Sequence, residues 1–277
     1  MSKLSGVPIS VGVDWISVTQ EQGAEHDAIR TLALSLAEVE LSADMLGMPW
    51  NASGYEGFKV GHLQYGERYD GCLLRLGASV AHSHWQRAFA LARKCTRIDL
   101  QVTFRSVEEP GVVIHRHYKE LLKHNRKFKK APAVAMLLAH DGSRTVYSGR
   151  RSSDVFGRIY DKHKESGLKE FQNCVRYEVE FKGRRAQAMA HRLITSSNPQ
   201  LETVGHVCRM YSNRGCSLRR LTNAFRGCTS IDALTCPVLP NDVDRKLQWL
   251  RVAIRPTVAL VAERRGIDTI QELFGLH

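Results

Sequence analysis

Three stretches before residue 183 alternate apolar and polar residues, which is the pattern of a β-strand with one face toward a core. They are residues 11–20, 96–104 and 174–182. In the last two stretches the apolar positions are Ile98, Leu100 and Val102, then Val175, Tyr177, Val179 and Phe181. The first stretch departs from the pattern because Asp14 lies among apolar residues. We expect three strands, each with a polar second face.

The segments between these strands predict helices, turns and further strands. Residues 24–40 and 83–95 have the spacing of amphipathic helices. The Gly-rich residues 52–77 are typical of hairpin strands with tight turns. Two short strands are expected near residues 133–139 and 144–148.

The pattern becomes helical after about residue 184, which divides the chain into two predicted regions. We expect an α+β domain with an antiparallel sheet over residues 1–183. A helical C-terminal region is expected over residues 184–277.

The charge of the chain points to an anionic partner. The net charge is +12, yet residues 1–70 carry 4 Lys+Arg against 10 Asp+Glu, and the remainder carries 36 against 18. An excess of positive charge of this size indicates the kind of binding partner rather than the fold. Nucleic acid is the usual polyanionic partner of such proteins. Residues 115–130 have seven Lys+Arg against one Glu and predict a basic helix that faces DNA.

Cysteine spacing and hydropathy indicate a cytoplasmic protein with no membrane partner. The chain has seven cysteines. Cys208, Cys216, Cys228 and Cys236 lie too far apart for the short paired spacings of zinc sites, so we expect reduced and mostly buried thiols. No stretch approaches the roughly 18 to 20 apolar residues of a membrane helix, and the N-terminus lacks the apolar run of a secretory signal.

Carboxylates on the polar faces of two predicted strands are candidate metal ligands. Asp99 lies on one strand, and Glu178 and Glu180 lie on the other. Mg²⁺ and similar hard cations prefer clustered carboxylate oxygens, so Asp99 and Glu178 could share an ion if the strands are neighbours. The alternative is a pair of solvated strand faces with cross-strand Arg–carboxylate pairs, which Arg97 and Arg176 would supply.

A tyrosine in a basic setting is a candidate nucleophile. In residues 151–166, Arg158, Tyr160 and Lys162 alternate with Ile159 and Asp161. Tyrosine can form covalent intermediates, but its pKa near 10 requires cations or a metal that favour the phenolate and hold the attacked phosphate. The alternative is an ordinary edge strand with an amphipathic tyrosine.

Two histidine pairs resemble metal-binding pairs only superficially. His82 and His84 flank Ser83 rather than a bulky apolar residue, and they begin a predicted helix rather than lying on a strand. His115 and His117 are expected on the DNA-facing side of the basic helix.

Four segments in order resemble one protein family. They are "VGVDWISVTQ", "CTRIDLQVTF", "TVYSGRRSSDVFGRIYDKHKES" and "CVRYEVEFKG", and the C-terminal "DRKLQWLRVAIRPTVALVAERRGIDTIQELFG" is similar to the family's usual ending. The chain resembles the rolling-circle replication initiation factors of small plasmids and filamentous phages, which include relaxases of some conjugative elements. The resemblance covers roughly residues 9–275.

The resemblance implies a nicking enzyme that uses a tyrosine and a metal. The family cuts one origin strand with a tyrosine in a segment like "GRIYDKHKE", which points to Tyr160. The tyrosine becomes linked to the 5′-phosphate, and the free 3′-OH primes synthesis. Asp99 and Glu178 match acidic positions that would hold Mg²⁺ or Mn²⁺, and Glu180 is a weaker candidate. Lys162 and Arg158 would hold the scissile phosphate.

One position differs from the family pattern, and a second tyrosine competes with Tyr160 for the role of nucleophile. Many members carry a second acid four residues after the strand aspartate, where this chain has Thr103. A metal ligand is therefore missing or comes from elsewhere. Tyr147 is the competing nucleophile.

The same resemblance implies origin DNA as partner, host helicase and DNA polymerase as further partners, and a possible homodimer. The cations expected to contact DNA lie around the strands, the loop after residue 148 and the basic helix: Arg97, Arg150, Arg151, Arg158, Arg176, Lys123, Arg126 and Lys127. Arg184 and Arg185 would also follow the DNA backbone. The alternative functions are a relaxase of a conjugative element and a DNA-binding replication regulator that has lost nicking.

Overall fold

The alternating stretches of the sequence form neighbouring strands near the centre of a sheet. The structure, a computed structural model, describes residues 8–21, 28–36 without 30 and 34, 46–47, 57–60, 63–68, 71–92, 94–128, 132–216, 218, 234 and 255–269. Ten strands lie in this part of the chain: β1 (Pro8–Glu21), β2 (Leu46–Gly47), β3 (Gly57–Val60), β4 (Leu63–Arg68), β5 (Gly71–Gly77), β6 (Cys95–Arg105), β7 (Val134–Leu138), β8 (Arg144–Ser148), β9 (Val155–Asp161) and β10 (Cys174–Lys182).

The strands form one antiparallel sheet, which confirms the predicted α+β class. Among the described residues their order is β2-β3-β4-β5-β1-β6-β10-β9-β8-β7, and every recorded pair is antiparallel. Strand β9 pairs with β10 on one side and β8 on the other. The alternative of an edge strand for Tyr160 is therefore wrong.

The helices are described by the following bounds: α1 (Ala78–Ala92), α2 (Pro110–Asn125), α3 (Lys162–Ser166), α4 (Gly183–Thr195), α5 (Pro199–Asn213) and α6 (Arg255–Arg265). The described residues of the predicted helix 24–40 are helical, and Ile29 and Leu32 among them are buried. The basic helix α2 ends at Asn125, earlier than predicted, and residues 129–130 lie outside the described residues. No described helix is long and apolar enough to cross a membrane.

The apolar face of the sheet packs against helices and forms the core. The predicted core positions of β6 and β10 are buried, with Ile98, Leu100 and Tyr177 at 0% exposure. Helix α4 contacts β6, α5 contacts β1 and β6, and α2 contacts β8 and β9. One cluster of buried side chains joins these elements. Because side chains alternate along a strand, the polar residues of β6, β9 and β10 are held on the opposite face.

Tyr211 of α5 fastens the helix layer to β9 and β10. Its buried hydroxyl lies 2.7 Å from the carbonyl oxygen of Arg158 and 2.9 Å from that of Glu178. A Cβ added at Gly157 would come within 2.9 Å of this hydroxyl, so Gly157 leaves room for the contact. The contact fixes the backbone of two strands that carry polar residues on their other face.

The chain divides into two compact units, Met1–Cys236 and Pro237–His277. The first unit contains α4 and α5 together with the sheet, which differs from the boundary expected near residue 183. In the second unit, α6 ends at Arg265 and is followed by Gly266, whose φ of 85° is left-handed. This is the usual conformation of a residue that follows a helix C-terminus.

We predict that Tyr211→Phe lowers the free energy of unfolding by about 1–3 kcal/mol, because the buried hydroxyl whose one hydrogen is shared between two strand carbonyl oxygens is removed. Equilibrium unfolding in urea measures the change. Tyr118→Phe is the matched control, since Tyr118 is only partly buried on α2. Equal stability of the two variants would contradict the fastening role of Tyr211.

Candidate active site

Register places the polar residues of three neighbouring strands side by side. In the ladders of β10, Glu180 is opposite Asp99 of β6 and Glu178 is opposite Arg158 of β9. Arg176 of β10 is opposite Tyr160. Six predicted site residues that lie up to 81 positions apart in the sequence, from Asp99 to Glu180, therefore share one face of the sheet.

The carboxylates on this face are buried. Asp99 is 1% exposed, and Glu178 and Glu180 are each 2% exposed. The alternative of solvated strand faces is therefore wrong, although the cross-strand Arg–carboxylate pairs that it included are present. A buried carboxylate needs a compensating cation or hydrogen bonds, and cations adjoin all three.

Arg97 and Lys182 hold the carboxylates at one end of the face. Arg97 donates to Asp99 through Nε at 2.9 Å and Nη2 at 2.6 Å, and its Nη2 lies 3.0 Å from Glu180. Lys182 Nζ lies 2.8 Å from Glu180. The Arg97 guanidinium also lies over the ring of Trp15, 5.0 Å from its centroid. Burial raises the pKa of Asp99, and the ion pair with Arg97 opposes that rise.

Arg158 lies between two of the candidate metal ligands. Its Nη2 is 2.5 Å from Glu178 Oε2 and 3.5 Å from Asp99 Oδ2. Burial opposes its charge, but the two carboxylates outweigh burial and raise the pKa of Arg158. One positive group thus already bridges the two acids that a divalent cation was predicted to share.

Tyr160 donates its hydroxyl hydrogen bond to Glu178 Oε1. Tyr160 is 8% exposed, and burial followed by the charge of Glu178 raises the pKa of the phenol well above its ordinary value. Burial also raises the pKa of Glu178 from 4.5 to about 7, against the opposing charge of Arg158. A carboxylate with a pKa near neutrality is suited to accept a proton from a neighbouring hydroxyl.

Lys162 does not continue the strand of Tyr160, which differs from the predicted alternation. Asp161 caps α3, since its carboxylate accepts from the backbone N–H of His163 at 3.0 Å and of Lys164 at 3.1 Å. Lys162 is therefore the first residue of α3, and its Nζ lies 2.5 Å from Glu165. It borders a cleft of about 400 Å³ that Asp14 and Arg176 also line.

Asp14 belongs to the same face and was not predicted as a site residue. The pairing of β1 with β6 shifts register between Val13 and Trp15, which places Asp14 at a bulge. Its Oδ1 accepts from Arg176 Nη1 at 2.8 Å. The sequence signal was an acid in an otherwise apolar strand, but the partner of that acid lies 162 positions away.

Thr103, where the resemblance led us to expect an acid, is part of a hydrogen-bonded chain. It accepts from Arg176 Nε at 2.8 Å and donates to Gln101 Oε1 at 2.9 Å, and Gln101 donates to Ser10 Oγ at 2.6 Å. Thr103 is fully buried. Arg176 therefore has a neutral partner at this position and an acidic partner in Asp14.

The carboxylates have acceptor oxygens to offer a metal ion. Glu178 Oε2 and Glu180 Oε2 are buried and lack a hydrogen bond of good geometry, although cations lie near both. Oxygen atoms of this kind are the ligands that Mg²⁺ and Mn²⁺ prefer. Asp99, Glu178 and Glu180 thus have the oxygen chemistry of a site for a hard divalent cation, but one oxygen from each does not lie within 4.8 Å of the other two, and Arg158 lies between Asp99 and Glu178.

The other predicted DNA-contacting cations lie outside this network or at its margin. Arg151 is 65% exposed at its side chain, stacks over Phe156 and lies 4.0 Å from Glu180. Arg150 is exposed in the turn after β8. Lys123 on α2 is exposed, and so are Arg126 and Lys127, which follow that helix.

The histidine pairs are not part of the carboxylate network, although His82 lines the cleft that Asp14, Lys162 and Arg176 border. His82 and His84 lie on α1, as predicted from their position at a helix. His117 is 2% exposed and points into the core rather than toward DNA, so the prediction for this residue is wrong. Tyr147, the competing nucleophile, is opposite Arg158 on β8, and its ring stacks on Phe156 with centroids 5.7 Å apart.

Comparisons with known proteins agree with this fold. The family model described as "Replication initiation factor" matches residues 94–274. A solved structure titled as that of a rolling circle replication initiator protein from Geobacillus stearothermophilus is similar, with a TM-score of 0.53 and 22% sequence identity. The match covers 72% of this chain and 85% of the other. No curated protein matches.

We predict a pH-dependent stability difference from Glu178 in the metal-free protein. Its raised pKa means that the native state holds this proton more tightly than the unfolded state does. The resulting stabilisation is complete below about pH 4.5 and is lost as the pH rises through about 7. Glu178→Gln removes the titration, so the stability of the variant relative to wild type should increase by about 2–3 kcal/mol from pH 5 to pH 8.

Urea unfolding in EDTA at the two pH values measures this difference. Glu170→Gln, at an exposed position, is the control and should follow the wild type at both. A Glu178→Gln variant that also follows the wild type would show that this carboxyl does not titrate differently on folding.

Proposed function

Since the chain belongs to the replication initiation factor family, we propose that it starts rolling-circle replication by nicking one strand of origin DNA with Tyr160. The observation that carries the proposal is the hydrogen bond from Tyr160 to Glu178, within a face that also contains Arg158 and Arg176. A phenol, a base and cations for a phosphate are the groups that this transesterification requires.

The chemistry is a balanced exchange of one phosphodiester bond for another. The oxygen of Tyr160 attacks the scissile phosphorus as Glu178 Oε1 accepts the phenolic proton. The bond from phosphorus to the 3′-oxygen breaks, and that oxygen takes up a proton. The products are a 5′-phosphotyrosyl adduct and a free 3′-OH that primes synthesis. The bond energy conserved in the adduct allows the reverse reaction to close the nick.

The two oxygens of Glu178 suit two different tasks. Oε1 accepts the hydrogen bond of Tyr160, and Oε2 lacks a hydrogen bond of good geometry. Oε2 would hold a divalent cation together with Asp99 and, more weakly, Glu180. Mg²⁺ or Mn²⁺ at that position would neutralise charge on the phosphate. Asp14, which was not predicted as a site residue, is a further acid near Arg176.

Cations around the tyrosine would hold the scissile phosphate. Arg158 now bridges Glu178 and Asp99, so a divalent cation that takes over these carboxylates would free its guanidinium for the phosphate. Lys162 lines the neighbouring cleft with Arg176. Arginine matches phosphate geometry with two parallel donors, whereas lysine acts as a point charge.

The wider DNA contact would follow the exposed cations. Arg150 and Arg185 line one cavity of about 890 Å³ together with Arg209 and Arg214. Arg151, at the margin of the active face, would continue this path toward Tyr160. Such contacts give salt-dependent affinity rather than base selection.

The proposed partners follow from this role. The protein would act on origin DNA in the cytoplasm of a bacterial host and hand the 3′-OH to host DNA polymerase, with a host helicase to open the duplex and a possible homodimer at the origin. A relaxase of a conjugative element would use the same chemistry on a transfer origin. A regulator that binds without cutting is the alternative that the neutral Thr103 favours.

We predict that Tyr160→Phe abolishes nicking of supercoiled plasmid carrying the element's own origin, by at least about 10³-fold, because the attacking oxygen is removed. The assay follows open circles and the covalent protein–DNA adduct in Mg²⁺ or Mn²⁺. Tyr147→Phe is the matched control and should retain both products. An active Tyr160→Phe with an inactive Tyr147→Phe would transfer the nucleophile to Tyr147.

We predict that Asp99→Asn lowers Mn²⁺ affinity at least about tenfold, which is the lower end of the loss caused by removing even an outer partner of a metal site. Titration calorimetry measures binding directly, and the nicking assay should show a parallel loss while origin binding persists. Asp141→Asn, at an exposed acid, is the control. Unchanged Mn²⁺ affinity in Asp99→Asn would remove this residue from the metal site. If the wild type binds the origin but does not cleave it in either metal, the result would favour the DNA-binding regulator that has lost nicking.

A further inference from the structure

A second cluster of metal-ligating side chains lies on the helix side of the sheet. His117 and Glu120 come from α2, and Cys216 follows α5. Their ligating atoms all lie within 4.8 Å of one another, and no other such group occurs in the part of the chain that the structure describes. We call these three residues the α2–α5 cluster.

Local structure explains how three distant residues converge. His117 and Glu120 are three positions apart on α2, so they share one face of that helix. Cys216 is placed by the C-terminal cap of α5. Its N–H bonds to the carbonyl of Tyr211 at 3.0 Å, and the N–H of Gly215 bonds to that of Ser212 at 3.0 Å. This is the Schellman pattern, with its left-handed residue at Gly215, whose φ is 82°.

Because Gly215 has no side chain, the C-terminal cap of α5 can lie directly against α2. A Cβ at this position would lie 2.5 Å from Cβ of His124. Only glycine therefore combines the left-handed turn with this close approach. The result is that Cys216, which is fully buried, reaches His117 across the two helices.

The imidazole of His117 is oriented as in a metal site. Its Nδ1 is 2.9 Å from Cys216 Sγ and 3.0 Å from Glu120 Oε2. Its other nitrogen, Nε2, is 2.9 Å from the hydroxyl of Tyr177. Histidines that bind metals usually donate their second N–H to such an oxygen, which fixes the ring and leaves the first nitrogen free to coordinate.

The same geometry argues against a catalytic cysteine. In a nucleophile–base–acid relay, the acid and the nucleophile contact different nitrogens of the histidine. Here the thiol and the carboxylate both approach Nδ1. Cys216 is moreover 0% exposed, so a substrate could not reach its sulfur.

We propose that His117, Glu120 and Cys216 bind one Zn²⁺ ion through imidazole nitrogen, carboxylate oxygen and thiolate sulfur, with water as fourth ligand. Zinc accepts this mixed set, which the all-oxygen preference of Mg²⁺ excludes. The tetrahedral bond lengths of zinc set the Sγ–Nδ1 separation at about 3.6 Å. The present 2.9 Å contact therefore opens by less than an ångström on binding. Glu120, 31% exposed at its side chain, connects the site to solvent.

The ion would act on the fold below the active site. It would join α2 to the end of α5, the helix whose Tyr211 holds the backbone of Arg158 and Glu178. It is separate in place and in ligand chemistry from the carboxylate set of the opposite face. Zinc binding at this cluster does not require the proposed nicking activity.

Metal content tests the site directly. The full-length protein, prepared with Zn²⁺ and dialysed, is measured by elemental mass spectrometry, and we expect about one Zn²⁺ per chain. Cys216→Ala should lose the ion, whereas Cys174→Ser, which alters another buried free cysteine, should retain it. Tyr177→Phe keeps the ring but removes the oxygen near Nε2, so zinc affinity should fall about 10- to 100-fold.

A second variant and a second metal distinguish loss of zinc binding from misfolding of Cys216→Ala. Glu120→Gln changes a partly exposed residue and should fold, yet its affinity for zinc should drop. Co²⁺ in place of Zn²⁺ should give a sulfur-to-metal charge-transfer absorption that is absent in Cys216→Ala. Zinc-free wild-type protein, or full zinc occupancy in both Cys216→Ala and Glu120→Gln, would overturn the proposal.

The readouts separate this site from the nicking site. Removal of zinc should lower the thermal unfolding temperature of wild type and of Tyr160→Phe alike. Nicking that fails for lack of Mg²⁺ should return when Mg²⁺ is added, whether or not zinc is present and provided that the fold is intact.

Discussion

The burial of three carboxylates on one face of a sheet is the constraint that organises this protein. Asp99, Glu178 and Glu180 are nearly inaccessible, and a buried acid without a cation or hydrogen-bond donors is strongly destabilising. The neighbouring strands supply the cations, since register places Arg158 and Arg97 against these acids. These ion pairs stabilise the buried face. They also concentrate charged side chains that could leave one another to bind a phosphate and a metal ion.

Strand β10 carries opposite chemistries on its two faces. Glu178 faces Tyr160 on one side of the sheet. The residue before it, Tyr177, lies on the other side and contacts His117 in the core. From the helix layer, the hydroxyl of Tyr211 reaches the carbonyl oxygen of Glu178. The polar groups on the two faces of β10 are thus separated only by the backbone of that strand. The helix layer packs against the strands and so sets the positions of those that hold the acids.

Three local features differ from the predictions, the first because of a local helix cap and the other two because a partner distant in sequence decides them. Lys162 was expected to continue a strand, but the carboxylate of Asp161 caps a helix at that residue. His117 was expected to face DNA in a basic helix, but Tyr177 and Cys216 hold it in the core. Asp14 looked like an irregularity in a strand until its bulge brought it to Arg176.

Alternation along the chain determined the strands, their apolar faces and the residues Asp99, Tyr160 and Glu178 as candidates, because side-chain direction in a strand follows from local geometry alone. Composition determined the excess of positive charge. Only the tertiary structure decided which strands are neighbours and in which register, and hence that Glu178 meets both Tyr160 and Arg158. Register depends on contacts among segments far apart in the sequence, where a shift of one residue would turn every one of these groups to the other face.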